Sequence, residues 1–262
     1  MNSVHNKAVK LIECGAEISS NVTGTAIGFL FGGPAGAIAG AALSPVTKRV
    51  VEKICVEIYD RVQGNRQRIR AGAVIAHAIQ SIKEKIENGC SVRDDDFFDT
   101  QNKRSKAEEI LEGVIIKSQN EHEEKKAKFY ANIFSSIAFN KDITTESANY
   151  ILLLASRLTY RHLCLLHIFF NHSRHQLRSI DYRESGIGSP ELQCILSETI
   201  YLYLNELIYS SPEEGDSLVL NFSYEIIPAS IRLTKFGTQV YHIMGLEKIE
   251  ANDTGAILQG LK

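Results

Sequence analysis

The side chains whose chemistry suggests acid–base or metal sites are four histidines close together in the last third of the chain. They are His162, His167, His172 and His175. A metal-binding pair on one helix needs ligands about one turn apart, as in HExxH, whereas His162 and His167 are five residues apart. The chain also has no P-loop, no GxGxxG turn and no Ser-His-Asp order. We predict no catalytic residue and no cofactor, and hence that the protein is not an enzyme.

Carboxylates are clustered at two other places. The acidic run Asp94–Asp96 with Asp99 has neither the central glycine nor the closing glutamate of a calcium loop. His122 lies between two glutamates but has no second histidine at helical spacing, which favours a solvated helix face. We predict no metal at either place.

The segment Val22–Leu43 has 22 residues and no charge, and it carries a glycine at every fourth position. This spacing keeps the glycines near one face of an α-helix, where each costs about 1 kcal/mol relative to alanine in water. Close helix–helix approach in a membrane offsets such a cost, and 22 residues extend roughly 33 Å, enough for a hydrocarbon core of about 30 Å. The pattern predicts a glycine-zipper-like segment for membrane association or self-association. Its glycines are Gly24, Gly28, Gly32, Gly36 and Gly40.

A second interpretation of this segment stays open. Gly32-Gly33-Pro34 is a strong turn signal in its middle, which is typical of a helical hairpin buried in a soluble fold. Lys48, Arg49 and Lys53 follow at once, and from position 44 to position 88 nine basic residues face five acidic ones. Basic residues next to an apolar segment favour an anionic lipid surface, so these three are predicted to face lipid. A solvated helix face is the alternative.

The five cysteines are widely spaced and include no CxxC, which favours reduced thiols in the cytosol. Residues 1–20 carry Glu13 and Glu17 where the apolar part of a signal peptide would lie. We therefore predict a cytoplasmic protein with peripheral or integral association with the inner membrane.

The last third of the chain has the pattern of a winged helix. Ser189-Pro190 starts a helix that is predicted to run to about Tyr209. Two strands, Leu218–Tyr224 and Ile226–Leu233, are expected next, followed by a helix through Met244. This domain therefore combines helices with a small β-hairpin.

Charge argues against DNA as the partner of this domain. From position 157 to position 247 seven basic residues face ten acidic ones, and the candidate recognition helix has three glutamates and no lysine or arginine. We expect a domain that binds protein or senses a ligand, and only weak binding of DNA. Tyr201, Tyr203 and Tyr209 are the candidate anchors for a protein partner, although core positions would have the same spacing.

Two short motifs, Lys126–Ile133 (KAKFYANI) and Leu233–Gly237 (LTKFG), accompany the Gly/Ala-rich N-terminus. In these features the chain resembles a loose group of uncharacterised bacterial proteins, including a domain of unknown function. Some members are similar to cell-killing membrane effectors of phage defence. The resemblance implies a membrane effector and brings no catalytic residue with it.

The predicted fold is mainly α, in four regions: an amphipathic helix and the glycine segment at 1–45, a helical middle at 46–156, a winged-helix-like domain at 157–250 and a flexible tail at 251–262. The leading hypothesis is a non-enzymatic, membrane-associated homo-oligomer, a gated effector whose C-terminal domain senses a partner. The alternative is a soluble winged-helix regulator that binds protein or nucleic acid, with the glycine segment as its oligomer interface.

Overall fold

The computed structural model describes positions 45, 48, 49, 52, 53 and 56, which are helical, and residues 64–99, 104–211 and 220–262. The glycine segment Val22–Leu43 lies outside the described residues, and so does each of its five spaced glycines. Over the described part, eight α-helices accompany one two-stranded antiparallel sheet, which confirms a mainly α fold with a small sheet. The chain divides into two compact units between Arg157 and Leu158.

From position 64 onward, the described residues of the first unit form four α-helices. They are α1 (Asn65–Glu87), α2 (Lys106–Gln119), α3 (Ala127–Ile137) and α4 (Thr145–Arg157). Helix α3 packs against the other three, and α2 packs against α1 and α4 as well. This central place explains why α3 is apolar on most of its surface. Its buried side chains include Phe129, Tyr130, Ile133, Phe134 and Ile137.

The second unit is organised around α5 (Tyr160–Phe170), whose Leu163, Leu166 and Phe169 are buried. Helix α5 contacts every other helix and one strand of this unit. The described α-helices and strands of this unit after α5 are α6 (Pro190–Leu204), β1 (Ile208–Ser210), β2 (Ile231–Leu233), α7 (Lys235–Met244) and α8 (Ala251–Gly260), and β2 is the strand that α5 contacts. Ser189 caps α6 with Pro190 at its first position, as predicted, because its hydroxyl accepts the amide of Leu192 at 3.1 Å.

The sheet lies elsewhere than predicted. Strand β1 pairs with β2 in the register Ile208↔Leu233, and the prediction of a strand over Leu218–Tyr224 is wrong for its described residues, 220–224. Glu225 explains the difference, because its carboxylate accepts the amides of Asn221 at 3.0 Å and Phe222 at 3.1 Å and closes a 3-10 turn. Only the last three residues of the second predicted strand form β2.

Helix α6 ends at Leu204 rather than near Tyr209. Glu206 adopts a left-handed conformation with φ of 58°, which a helix cannot continue, and the chain then enters β1. Tyr209 therefore lies on a strand and not on the helix that carries Tyr201 and Tyr203.

Residues 251–262, for which the sequence predicts a flexible tail, instead contain helix α8. Tertiary contacts hold it: Leu261 is fully buried, and the Tyr160 hydroxyl donates to Asp253 at 2.6 Å. The Tyr182 hydroxyl donates to the carbonyl of Gly260 at 3.2 Å. These partners lie far along the chain, so the local composition gives little sign of them.

The LTKFG motif has a structural explanation. Thr234 caps α7, since its hydroxyl accepts the amide of Gly237 at 2.9 Å, and it also donates to the carbonyl of Glu206 at 2.6 Å. At Gly237 the first turn of α7 approaches the backbone before β1 so closely that a Cβ would lie 1.9 Å from the Leu207 oxygen. Only glycine fits there without a backbone shift.

Gly237→Ala is expected to destabilise the second unit by about 3 kcal/mol, because the obstacle is backbone and cannot rotate away. Thermal unfolding should show a melting temperature lower by roughly 10 °C. Gly255→Ala is the matched control, since a Cβ at this helical position meets nothing within 4 Å. It should raise stability by up to about 1 kcal/mol. Equal melting temperatures for the two variants would contradict this explanation.

Candidate functional site

The three basic residues predicted to face lipid are all at exposed helical positions. Lys48 lies 3.9 Å from Glu52, and both side chains are about half exposed, so this pair contributes little to stability. Lys53 differs, because its ammonium lies 2.7 Å from a carboxylate oxygen of Glu108 on α2. Lys48 and Arg49 thus belong to the exposed surface, whereas Lys53 also has a partner within the first unit.

Glu108 is a buried carboxylate at the beginning of α2. Its side chain is 2% exposed, and the oxygen that meets Lys53 also accepts the amide of Ser105 at 3.3 Å. The Ser105 hydroxyl in turn accepts the amide of Glu108 at 3.1 Å, which completes a capping box. A buried charge is tolerated only when it is paired and hydrogen-bonded, so the cation of Lys53 helps to keep Glu108 inside the fold.

A second buried ion pair lies between α2 and α3. Lys126, with 2% of its side chain exposed, bonds one carboxylate oxygen of Glu121, and the Tyr130 hydroxyl donates to that oxygen at 3.1 Å. The other oxygen accepts the amides of His122 at 2.9 Å and Glu123 at 3.1 Å. Burial of the carboxyl opposes ionisation, but these donors together lower the pKa of Glu121.

These hydrogen bonds argue against a metal ion at Glu121, His122 and Glu123. Glu121, His122 and Glu123 bring potential ligand atoms within 4.8 Å of one another. A carboxylate has about four lone-pair sites, and protein donors already occupy four on Glu121. A cation would have to displace these donors and lie beside the ammonium of Lys126. The carboxylate is therefore explained as a structural group.

The acidic run is also part of the scaffold. The Arg93 guanidinium bonds Asp95 and donates to the carbonyls of Asn140 at 3.1 Å and Ile143 at 3.0 Å, so it joins this segment to the chain beyond α3. The same bond from Arg93 lowers the pKa of the Asp95 carboxyl. Asp96 pairs with Lys106 at 2.8 Å. Asp95 and Asp96 thus each have a cationic partner within the first unit.

Two of the clustered histidines support helix ends in the second unit. His162 Nδ1 lies 3.0 Å from the Thr159 amide and closes the capping box of α5. His167 Nδ1 donates to the carbonyl of Leu246 at 2.9 Å, and burial lowers the pKa of this imidazole. These bonds give the Nδ1 atom of each imidazole a structural role.

The three candidate anchor tyrosines do not share one surface. Tyr201 is half-buried against the ring of His162, with 4.9 Å between the ring centroids. Tyr203 is two residues further along α6 and therefore lies on a different face of the helix. Tyr209 is 38% exposed on β1, opposite Arg232. Of the three, Tyr209 is the most exposed to a partner.

The two glutamates on α6 have a structural role that the sequence pattern does not reveal. The Arg161 guanidinium on α5 bonds Glu198 through Nε at 2.5 Å and through Nη2 at 3.1 Å. Its Nη1 donates to Glu191 at 2.6 Å. These two glutamates hold α5 and α6 together.

Within the described ranges, no single helix is both long and apolar enough to cross a membrane; α4 and α5 meet the requirement only as a bent pair. A scan of protein-family models and searches of curated proteins and solved structures each found no match to this chain. The resemblance to the uncharacterised bacterial group therefore stays a prediction from the quoted motifs.

Lys126→Met should remove the cation beside Glu121 and lower the free energy of unfolding by about 3 kcal/mol at neutral pH. Because the folded-state pKa of Glu121 is lowered, its stabilising contribution is present above the ordinary glutamate pKa and is lost as the pH falls through the folded value. The difference from the natural protein should therefore shrink in acid.

Urea unfolding at neutral pH and at about pH 3 measures this difference. Lys125→Met is the control, because Lys125 is the exposed neighbour of buried Lys126 and its loss should cost under about 1 kcal/mol. A loss for Lys126→Met that is the same at both pH values would show that the ion pair is not the cause.

Proposed function

We propose that this is a non-enzymatic, membrane-associated protein, a gated membrane-perturbing effector whose second unit binds a partner. The observation that carries the proposal is the uncharged segment Val22–Leu43, with five glycines at four-residue spacing and basic residues directly after it. A glycine-zipper helix of this composition packs closely against copies of itself, so the proposed active form is a homo-oligomer at the inner membrane.

The exposed basic positions support the membrane part of the proposal. Lys48 and Arg49 are exposed at helical positions shortly after the glycine segment. A lysine or arginine near an anionic surface contributes about 1 kcal/mol to binding. Their position in the sequence brings this attraction next to the apolar segment, where it would favour insertion.

The second unit supports the partner-binding part. Its described α-helices and strands run as two helices, two strands and two further helices, an order that is compatible with a winged-helix-like domain, and α6 has no lysine or arginine to offer DNA. Large apolar side chains are exposed on this unit, and they are the candidate contacts for a protein partner. They include Leu204 at 69%, Phe222 at 55%, Tyr224 at 39% and Tyr209 at 38% exposure.

Removing the charges of Lys48 and Arg49 should weaken binding to anionic vesicles about thirtyfold, because each contributes about 1 kcal/mol. The measurement is flotation of the full chain and of Lys48→Gln/Arg49→Gln with phosphatidylglycerol vesicles. Lys141→Gln/Lys235→Gln removes the same charge from other exposed positions and serves as the control. Equal losses for both double variants would indicate attraction by net charge alone, and no binding by the natural chain would contradict the proposed function.

Gly32→Leu and Gly36→Leu should abolish toxicity and retention in alkali-washed membranes, because a leucine side chain separates the closely packed backbones. Gly→Ala at the same positions is the control, and its effect should be milder. Under the buried-hairpin alternative, the leucine variants would instead overpack a core and lower stability by about 1–3 kcal/mol. Membrane retention and melting temperature, measured on each variant, separate the two interpretations.

A further inference from the structure

Helix α2 buries two carboxylates one turn apart. The basic residue that pairs with one of them is close in sequence, and the basic residue that pairs with the other is distant. The side chain of Glu112 is 11% exposed and bonds Arg104, which lies just before the helix. The side chain of Glu108 is 2% exposed and bonds Lys53, which lies 55 residues earlier. The first pair is local to α2, whereas the second connects α2 to the basic residues that follow the glycine segment.

Lys53 is well suited to a reversible contact. Its side chain is 42% exposed although its ammonium lies 2.7 Å from Glu108, so water reaches the pair from one side. Separation of the pair would free a strongly hydrated ammonium but leave a carboxylate inside the fold. Separation of the ion pair therefore costs free energy mainly because Glu108 is left buried without a cation, and the paired state is favoured.

An anionic lipid surface offers Lys53 a partner of the same charge as Glu108. Lys48 and Arg49 are exposed in the structure and can meet phosphate headgroups directly. While its ammonium bonds Glu108, the carboxylate offsets much of the charge of Lys53 and holds its side chain at α2, so Lys53 attracts a headgroup less strongly. The two partners therefore compete for one cation, and binding to lipid must offset the loss of the Glu108 contact.

We propose that the Lys53–Glu108 ion pair is an autoinhibitory latch that holds Lys53 on α2 and opposes its transfer to an anionic membrane. This inference rests on the proposed function and adds its regulation. The latch sets the amount of anionic lipid that is needed for Lys53 to leave Glu108. A membrane with enough anionic lipid, or a partner that disturbs the beginning of α2, releases Lys53, which then binds the membrane together with Lys48 and Arg49.

Glu108→Gln tests the latch in the full chain, because a glutamine keeps the capping box while it removes the charge that holds Lys53. Hydrogen exchange of peptides that contain Lys53 should become faster. Apparent affinity for vesicles of phosphatidylglycerol and phosphatidylcholine in equal amounts should rise about fivefold, with no gain on phosphatidylcholine alone. Lys53→Gln is the second variant if Glu108→Gln folds poorly; exchange near position 53 should be faster than in the natural chain, but without the cation these vesicles should be bound no tighter than by the natural chain.

Glu109→Gln is the matched control. It removes one charge from the next residue of α2, where the carboxylate is exposed and accepts Asn149 Nδ2 at 2.8 Å. Exchange near Lys53 and vesicle affinity should both equal those of the natural chain. An equal gain for Glu109→Gln would overturn the latch in favour of general charge.

Two other results would overturn the latch in distinguishable ways. If the natural chain binds anionic vesicles and Glu108→Gln binds no tighter, the ion pair is only a packing contact and the proposed function stands. If neither protein binds, the proposed function fails and the latch has no membrane to control, whatever the exchange rates are.

Discussion

The first unit depends on how it pairs the carboxylates that α2 and its neighbours bury. Glu108 lies at the beginning of α2 and Glu121 just after its end, and each would cost several kcal/mol if it were left without a cation. Lys53 and Lys126 meet this requirement. Because Lys126 lies at the entrance to α3, the second pair also fixes the turn between α2 and α3, and the apolar face of α3 can then pack against three helices. Electrostatic pairing and apolar packing therefore support one another in this unit.

The second unit rests on a different constraint, the close approach of two backbones. The amide of Thr234 donates to the carbonyl of Leu207 at 3.1 Å, and Gly237 leaves room for that same carbonyl. This contact fixes where β2 ends and α7 begins, next to a sheet of only three residues per strand. Since so short a sheet contributes few hydrogen bonds, helix caps and the buried face of α5 stabilise most of the unit.

The sequence predicts those features that depend on neighbouring residues. Ser189 with Pro190 predicts the beginning of α6, and Thr234 predicts the beginning of α7. Both can be recognised in the sequence because an N-cap side chain bonds a backbone amide only two or three residues later. Strand β1 depends on a partner more than 20 residues away, and α8 depends on Tyr160 and Tyr182, so local patterns miss both. The Lys53–Glu108 contact is still more remote. A Ser-x-x-Glu capping box at Ser105 is visible in the sequence, but nothing in it indicates that the glutamate is buried and needs a distant lysine.

The packing of Gly237 gives the Leu-Thr-x-x-Gly motif a structural explanation, so the motif does not by itself indicate a function. Leu-Thr-x-x-Gly describes a strand end, a cap and a glycine against a neighbouring carbonyl, and each residue in it has a task in the scaffold. Two proteins that share this motif share a way of joining a strand to a helix, and their ligands are free to differ. Relatives of this chain that act alike are better sought through the residues that its packing does not require, such as exposed Lys48, Arg49 and Phe222.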